Sequence, residues 1–238
     1  MNYKINIIQG NDNILPPSHI NIVIDVIRAF SVSHQAFING IEKIILTNSE
    51  QIALSLKNSN SNIILSGEVN AIKINSFDFG NSPYDIAHAN LSDKTLVQKT
   101  TNGVKATLNA LKTNQLFVTG YSNAYTTAMY IKKLLSKSNN KIKQINIIAS
   151  HPSGDDDLAC AQYIKTIIEN KITSLKDIEE NTVSRIIHSD AAYKFYDQNN
   201  PSFSVLDLSL CLIKTNCDFV MKVEECDQEI FIRKLSIN

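Results

Sequence analysis

The stretch "LVQKTTNGVKATLNALK", Leu96 to Lys112, decides how this chain folds. Its centre, Asn102-Gly103, carries the strongest short-range signal for a β-hairpin turn, because both residues tolerate positive φ. The residues after Gly103 lack the pattern of a returning strand. Val104, Leu108 and Leu111 share one helical face, and the residues between them are good helix formers. "TLVQK" (95–99), just before, has the composition of a strand. Thr100-Thr101-Asn102-Gly103 therefore reads as a strand-to-helix loop. Such a loop points backbone N–H groups at whatever lies beyond the strand's carboxyl end.

The same alternation recurs along the chain. Apolar, β-branched runs at 3–8, 21–27, 43–47, 62–66, 95–99, 115–119 and 145–150 predict strands. Helical spacing at 31–40, 49–57, 104–112, 123–136 and 156–169 predicts the helices between them. Several strands are apolar on both faces, as expected where helices cover both sides of a parallel sheet. The expectation is an α/β fold: a three-layer α/β/α arrangement on a largely parallel sheet that admits some mixed pairing. No linker or repeat divides residues 1–238, so one domain is expected, helix-rich from about 170 to 196 and closing with a strand near 218–223.

Acidic and basic residues balance at 23 each, which gives no support for a nucleic-acid or membrane-surface partner. The four cysteines (Cys160, Cys211, Cys217, Cys226) have neither C-x-x-C spacing nor a nearby His pair, and predict reduced thiols. No apolar run approaches the ~20 residues that span a bilayer, and the N-terminus lacks a signal-peptide core. A soluble, cytoplasmic protein is the expectation.

Chemistry concentrates at the strand ends. After 21–27 come Asp25, Arg28 and Ser31; after 62–66 come Gly67-Glu68 and then "FDFGNSP" (77–83). After 115–119 comes "GYSN" (120–123), and after 145–150 comes "HPSGDDD" (151–157). Small and hydroxyl residues at helix starts suit an oxyanion, while carboxylates at neighbouring strand ends suit a hard divalent cation. The same residues are also ordinary caps and turn formers. Asp25 stands apart, because it interrupts an Ile/Val run and must be paired or metal-bound to offset its desolvation. Arg28 can be that partner or can bind substrate. At least two of Asp155, Asp156 and Asp157 are expected only to favour the helix N-terminus, and His151 reads as a loop residue more readily than as a catalytic base. His19, His34, His88 and His188 share no metal-site spacing.

In order and spacing, "DVIRA" (25–29), "GE" (67–68), "FDFGNSP" (77–83), "TTNG-x-K-A" (100–106), "GYSNA" (120–124) and "SGDDDLACA" (153–161) resemble the 2-phosphosulfolactate phosphatases. The resemblance is strong over about 20–165 and looser beyond, through "LDLSLC" and "DFVMKV". It implies a Mg²⁺-dependent phosphatase acting on a small, highly anionic 2-phospho-3-sulfo acid, associated with coenzyme M biosynthesis, and it admits a homodimer. On that reading Asp25, Glu68 and Asp157 are the carboxylates for Mg²⁺ or acid–base work, and Arg28 and Lys105 neutralise substrate charge. Asn81, Ser82, Thr101, Asn102, Gly103, Ser122 and Asn123 supply donors to the anion.

The chain departs from the family pattern at three places: Val69 replaces Arg after Gly-Glu, Lys105 stands where Arg or an equivalent is usual, and Ala149-Ser150-His151 replaces "CAG". Lys is not a bidentate substitute for Arg. The Val69 change leaves open a member that binds an anionic metabolite without turnover. Ile at position 27 argues against an aspartyl-phosphate route, and no Cys-x₅-Arg or Arg-His-Gly string supports the covalent cysteine or histidine routes. Metal-assisted hydrolysis remains, with Asp25 as nucleophile, base or ligand.

Overall fold

The computed structural model describes residues 3–138, 141–197, 200 and 202–237. The chain order is β1 (Lys4–Gln9), β2 (Ser18–Ile24), α1 (Ala29–Ile38), β3 (Lys43–Leu46), α2 (Glu50–Ser59), β4 (Ile63–Val69), β5 (Ile72–Lys73), α3 (Pro83–His88), β6 (Thr95–Lys99) and α4 (Gly103–Asn109). It continues with β7 (Thr113–Thr119), α5 (Ala124–Lys137), β8 (Gln144–Ala149), α6 (Asp155–Ile168), α7 (Leu175–Ile187), α8 (Asp190–Tyr193), α9 (Val205–Leu212), β9 (Phe219–Cys226) and β10 (Glu229–Ser236). The Asn102-Gly103 pair does open a helix, so the α/β reading of the central stretch holds.

Ten strands form one mixed sheet in the order β1-β8-β2-β7-β9-β10-β3-β6-β4-β5. β1, β8, β2 and β7 are mutually parallel, as are β3, β6 and β4. Between these blocks sits the hairpin β9–β10, antiparallel to β7 on one side and to β3 on the other. Each antiparallel step reverses direction, so the two parallel blocks run opposite ways. The strand expected near 218–223 is the first arm of this hairpin; the second arm was not expected.

Opposed blocks would place their carboxyl ends on opposite edges of a flat sheet. β2 and β6 are five steps apart, roughly 24 Å at the usual ~4.8 Å strand spacing. Yet a Cβ placed on Gly103, just after β6, would lie 2.7 Å from Asp25 Oδ2, just after β2. The sheet must therefore curl, and α1 fills the curl. Every residue from Ala29 to Phe37 is buried. Gln98 on β6 clasps the helix, donating to the Ala29 carbonyl and accepting from Ser33 Oγ, both at 2.8 Å. Val23 and Val118 from one block pack with Leu96 and Leu46 from the other around Phe30, Val32 and Phe37.

The outer faces are covered conventionally. Ala124, Ala128 and Ile131 of α5 and Ala161, Ile164 and Ile168 of α6 bury the Ile-rich face of β1, β2 and β8. Ala53 and Leu54 of α2 cover Ile63, Leu65 and Val97. The four cysteines are free thiols. No described helix is long and apolar enough to cross a membrane.

Candidate active site

The curl brings the ends of β2, β4, β6 and β8 around a cavity of about 630 Å³. Its wall includes Asp25, Arg28, Glu68, Asn81, Thr101 and Asn102. His151–Gly154 and Asp190, Lys194, Phe195 and Phe203 complete it from the β8–α6 loop and the C-terminal segment.

Asp25 is 6% exposed. Its Oδ1 accepts from the Ala29 N–H at 2.9 Å, while Oδ2 has one long contact, 3.3 Å, from the Ser150 hydroxyl. Burial, then repulsion from Asp157 and more weakly from Glu68, pushes this carboxyl up to about 8, against the Ala29 N–H that favours its anion. Gly103 leaves space for it, since a side chain there would collide with Oδ2.

Glu68 is fully engaged. Oε1 accepts from the Thr101 N–H at 2.5 Å; Oε2 accepts from the Ala71 N–H at 2.5 Å and from Thr101 Oγ at 2.9 Å. The Thr101 amide of the "TTNG" loop is thus spent on Glu68, so the loop positions both acids as well as lining the cavity. Asp157 lies behind the wall. Its Oδ1 accepts from the Val26 N–H at 2.8 Å, and its Oδ2 from the His151 N–H and the Ser150 hydroxyl, both at 3.0 Å. It ties the β2 end to the β8–α6 loop.

The three consecutive acids do more than favour a helix start, which corrects the expectation that at least two do only that. Asp155 pairs with Arg185 on α7. Asp156 and Asp157 are each 2% exposed. Burial and neighbouring acids push both upward, Asp156 responding to Asp25 and Asp157 to Asp156. Asp156 Oδ1 is buried without a hydrogen-bond partner. His151 lines the cavity, with its Nδ1 accepting from the Ser153 N–H at 3.2 Å, which leaves the N–H of the neutral ring on Nε2. Burial and the Lys194 charge push that imidazole downward.

Arg28 does not pair with Asp25. Its Nη1 donates to Asp207 Oδ2 at 2.7 Å and to the Ser202 carbonyl at 3.3 Å, and its guanidinium lies 5.1 and 5.4 Å from the ring centres of Phe195 and Phe203. Other expected donors are placed elsewhere. Ser82 lines an adjoining cavity of about 400 Å³, which shares Arg28, Ala71 and Asn81 with the first. Gly103 is packing, not lining. Lys105 pairs with Asp12 at 2.5 Å on the surface. Ser122 meets His34 Nδ1 at 2.8 Å, and Asn123 Oδ1 accepts from Thr119 Oγ and the Gly120 N–H, all in the interior. Val69 faces solvent outside the cavity wall.

A cavity walled by Asp25 with its raised carboxyl, one buried guanidinium and strand-end loops fits an enzyme handling a small anion. Residues 9–225 match the family model described as 2-phosphosulpholactate phosphatase. The chain belongs to the 2-phosphosulfolactate phosphatase family. It is 49% identical over 223 residues to a probable 2-phosphosulfolactate phosphatase of Bacillus subtilis (strain 168), covering 93% of this chain and 94% of that protein. A protein of the same description from Clostridium beijerinckii is 30% identical over 236 residues, covering 93% and 97%. The members of this family are named as phosphoric monoester hydrolases, and the cavity wall here carries Asp25, Glu68 and Asp190 alongside Arg28 and Lys194. Asp207, Phe195, Phe203 and Lys194 were not singled out from sequence. Asp207 carried a usable signal, being a lone acid inside the apolar helix "VLDLSLCL".

Proposed function

We propose that this chain hydrolyses 2-phosphosulfolactate to sulfolactate and inorganic phosphate with the aid of Mg²⁺. The carrying observation is the charge of the cavity. Among the described residues Glu68 and Asp190 line it against Arg28 and Lys194, and Asp25, its carboxyl pushed up to about 8, adds a third acid whose anion a bound cation would favour. A substrate bearing phosphate, sulfonate and carboxylate carries more negative charge than Arg28 and Lys194 offset, which favours an added cation.

Asp25 and Glu68 are the acids that fit a cation here, because they line the cavity and their anions repel one another. Among the described residues no three His, Cys, Asp or Glu side chains converge as a complete cage. That suits Mg²⁺, which is commonly held by one or two carboxylates together with water and substrate phosphate. Asp157, which lies outside the cavity wall, supports the site from behind. When bound, the cation would withdraw charge from the phosphoryl group and its departing oxygen. Ala29 fixes Oδ1 of Asp25, Thr101 fixes Glu68, and His151 offers Nε2 for proton movement.

Val69 gives no support to binding without turnover, since its side chain lies outside the cavity wall. The test is phosphate release from 2-phosphosulfolactate with Mg²⁺ and with chelator, alongside calorimetry of the same mixture. Binding heat without phosphate release would reject the hydrolase reading.

A further inference from the structure

We propose that the free edge of the Arg28 guanidinium receives the α-carboxylate of the substrate, and that Asp207 is the positioning residue that holds it there. The inference rests on the phosphatase reading and specifies how that site orients its substrate.

Arg28 is 5% exposed, yet it lines the cavity. Asp207 and the Ser202 carbonyl both take Nη1. Among the described residues no hydrogen bond engages Nε or Nη2, so one edge of the fork is anchored and the other is available. Phe195 and Phe203 flank the guanidinium near its central carbon and restrict its swing. A planar group fixed at one edge presents two parallel N–H bonds at the other, which match a planar carboxylate. The reacting phosphate belongs beside Asp25 and Glu68, and in a 2-phospho acid the carboxylate is attached to the carbon bearing the ester oxygen. Arg28 lines the same cavity as Asp25 and Glu68, so one small molecule in it meets both subsites.

Asp207 fixes more than the arginine. Its Oδ1 accepts from Ser82 Oγ at 2.6 Å and from the Tyr84 N–H at 3.1 Å, while Oδ2 holds Arg28. One buried carboxylate thereby locks α9, the start of α3 and the β2–α1 turn in a single arrangement. Asp207 lies outside the cavity wall that carries Asp25 and Glu68, so its influence passes through Arg28.

The test uses the full chain with saturating Mg²⁺ and three substrates: 2-phosphosulfolactate, 2-phospholactate, and the phosphate ester of 2-hydroxypropanesulfonate, which lacks the carboxylate. In R28K, kcat/KM for both carboxylate-bearing esters should fall about 100-fold, mostly through KM, as for loss of a buried bidentate charge pair. The third ester should lose far less, so the wild-type preference for a carboxylate collapses. D207N should shift the same ratio about tenfold, with KM rising more than kcat falls. A merely structural role would lower all three together and leave the ratio intact. Should D207N fail to fold, F203L loosens the guanidinium while keeping the ion pair, and must move the ratio in the same direction. Equal losses on all three esters, or losses that track the sulfonate, would overturn the assignment of Arg28 while leaving the phosphatase reading standing. Wild-type protein that turns over none of the three would overturn both.

Discussion

Asp25 is the residue on which the site depends, and its environment makes two measurable demands. D25N removes the buried acid of the cavity wall; turnover should drop at least ~100-fold, the scale of lost acid–base or metal assistance. Unchanged turnover would place the chemistry elsewhere. The second demand concerns stability. The folded pKa of about 8 lies above the ordinary 3.8, so between those values the native protein keeps a proton that the unfolded chain releases. The stabilisation from that proton is complete at low pH and is lost as pH rises through about 8. In chelator, the melting temperature of D25N minus that of wild type should therefore increase steadily between about pH 5 and pH 8, and added Mg²⁺ should narrow the gap by stabilising wild type alone. A difference that is flat with pH would mean Asp25 is not held protonated by its surroundings.

At the scale of elements, the site is a matter of how closely α4 can approach β2. Gly103 needs no unusual backbone angle; it is glycine because its missing Cβ would sit 2.7 Å from Asp25 Oδ2 and 2.9 Å from Ala29 Cβ. G103A must push α4 away or displace the carboxylate, so we expect a loss of about 1–3 kcal/mol by denaturant titration, typical of overpacking, together with a fall in kcat. Wild-type values for both would show that the approach is slack. This contact also marks what could be read from sequence. The helix after Gly103 and the strand before it were legible because periodicity is local. So was Asp25, as an acid in an apolar run. Lys105, Ser122 and Asn123 have the residue types of anion donors, but type does not reveal direction: one points to solvent and Asp12, and the others form hydrogen bonds in the interior. Asp207 escaped notice because its partners Arg28 and Ser82 are more than a hundred residues away. α8, which opens the segment carrying Phe195, spans only four residues, too few to show a period.

For the whole molecule, strand order is the feature that local pattern could not supply. Apolar runs announce buried strands but not their neighbours, and here two parallel blocks of opposite direction are stitched by a C-terminal hairpin. Asp25 belongs to one block and Glu68 to the other, so the integrity of the site depends on a junction far from the chemistry. Ile232 lies at that junction: fully buried, opposite Val223 on β9 and Ile44 on β3. I232A should cost about 2–5 kcal/mol, the range for removing a buried aliphatic side chain. Ile52, 53% exposed on α2, provides the contrast, and I52A should stay within about 0.5 kcal/mol. If the hairpin couples the blocks, urea titration of I232A will show phosphate release and far-ultraviolet circular dichroism lost in one shared transition at lower denaturant. Activity that disappears well before the secondary structure would instead mean that the blocks separate while each stays folded. In that case the curl around α1, rather than the hairpin, would be what holds Asp25 and Glu68 together.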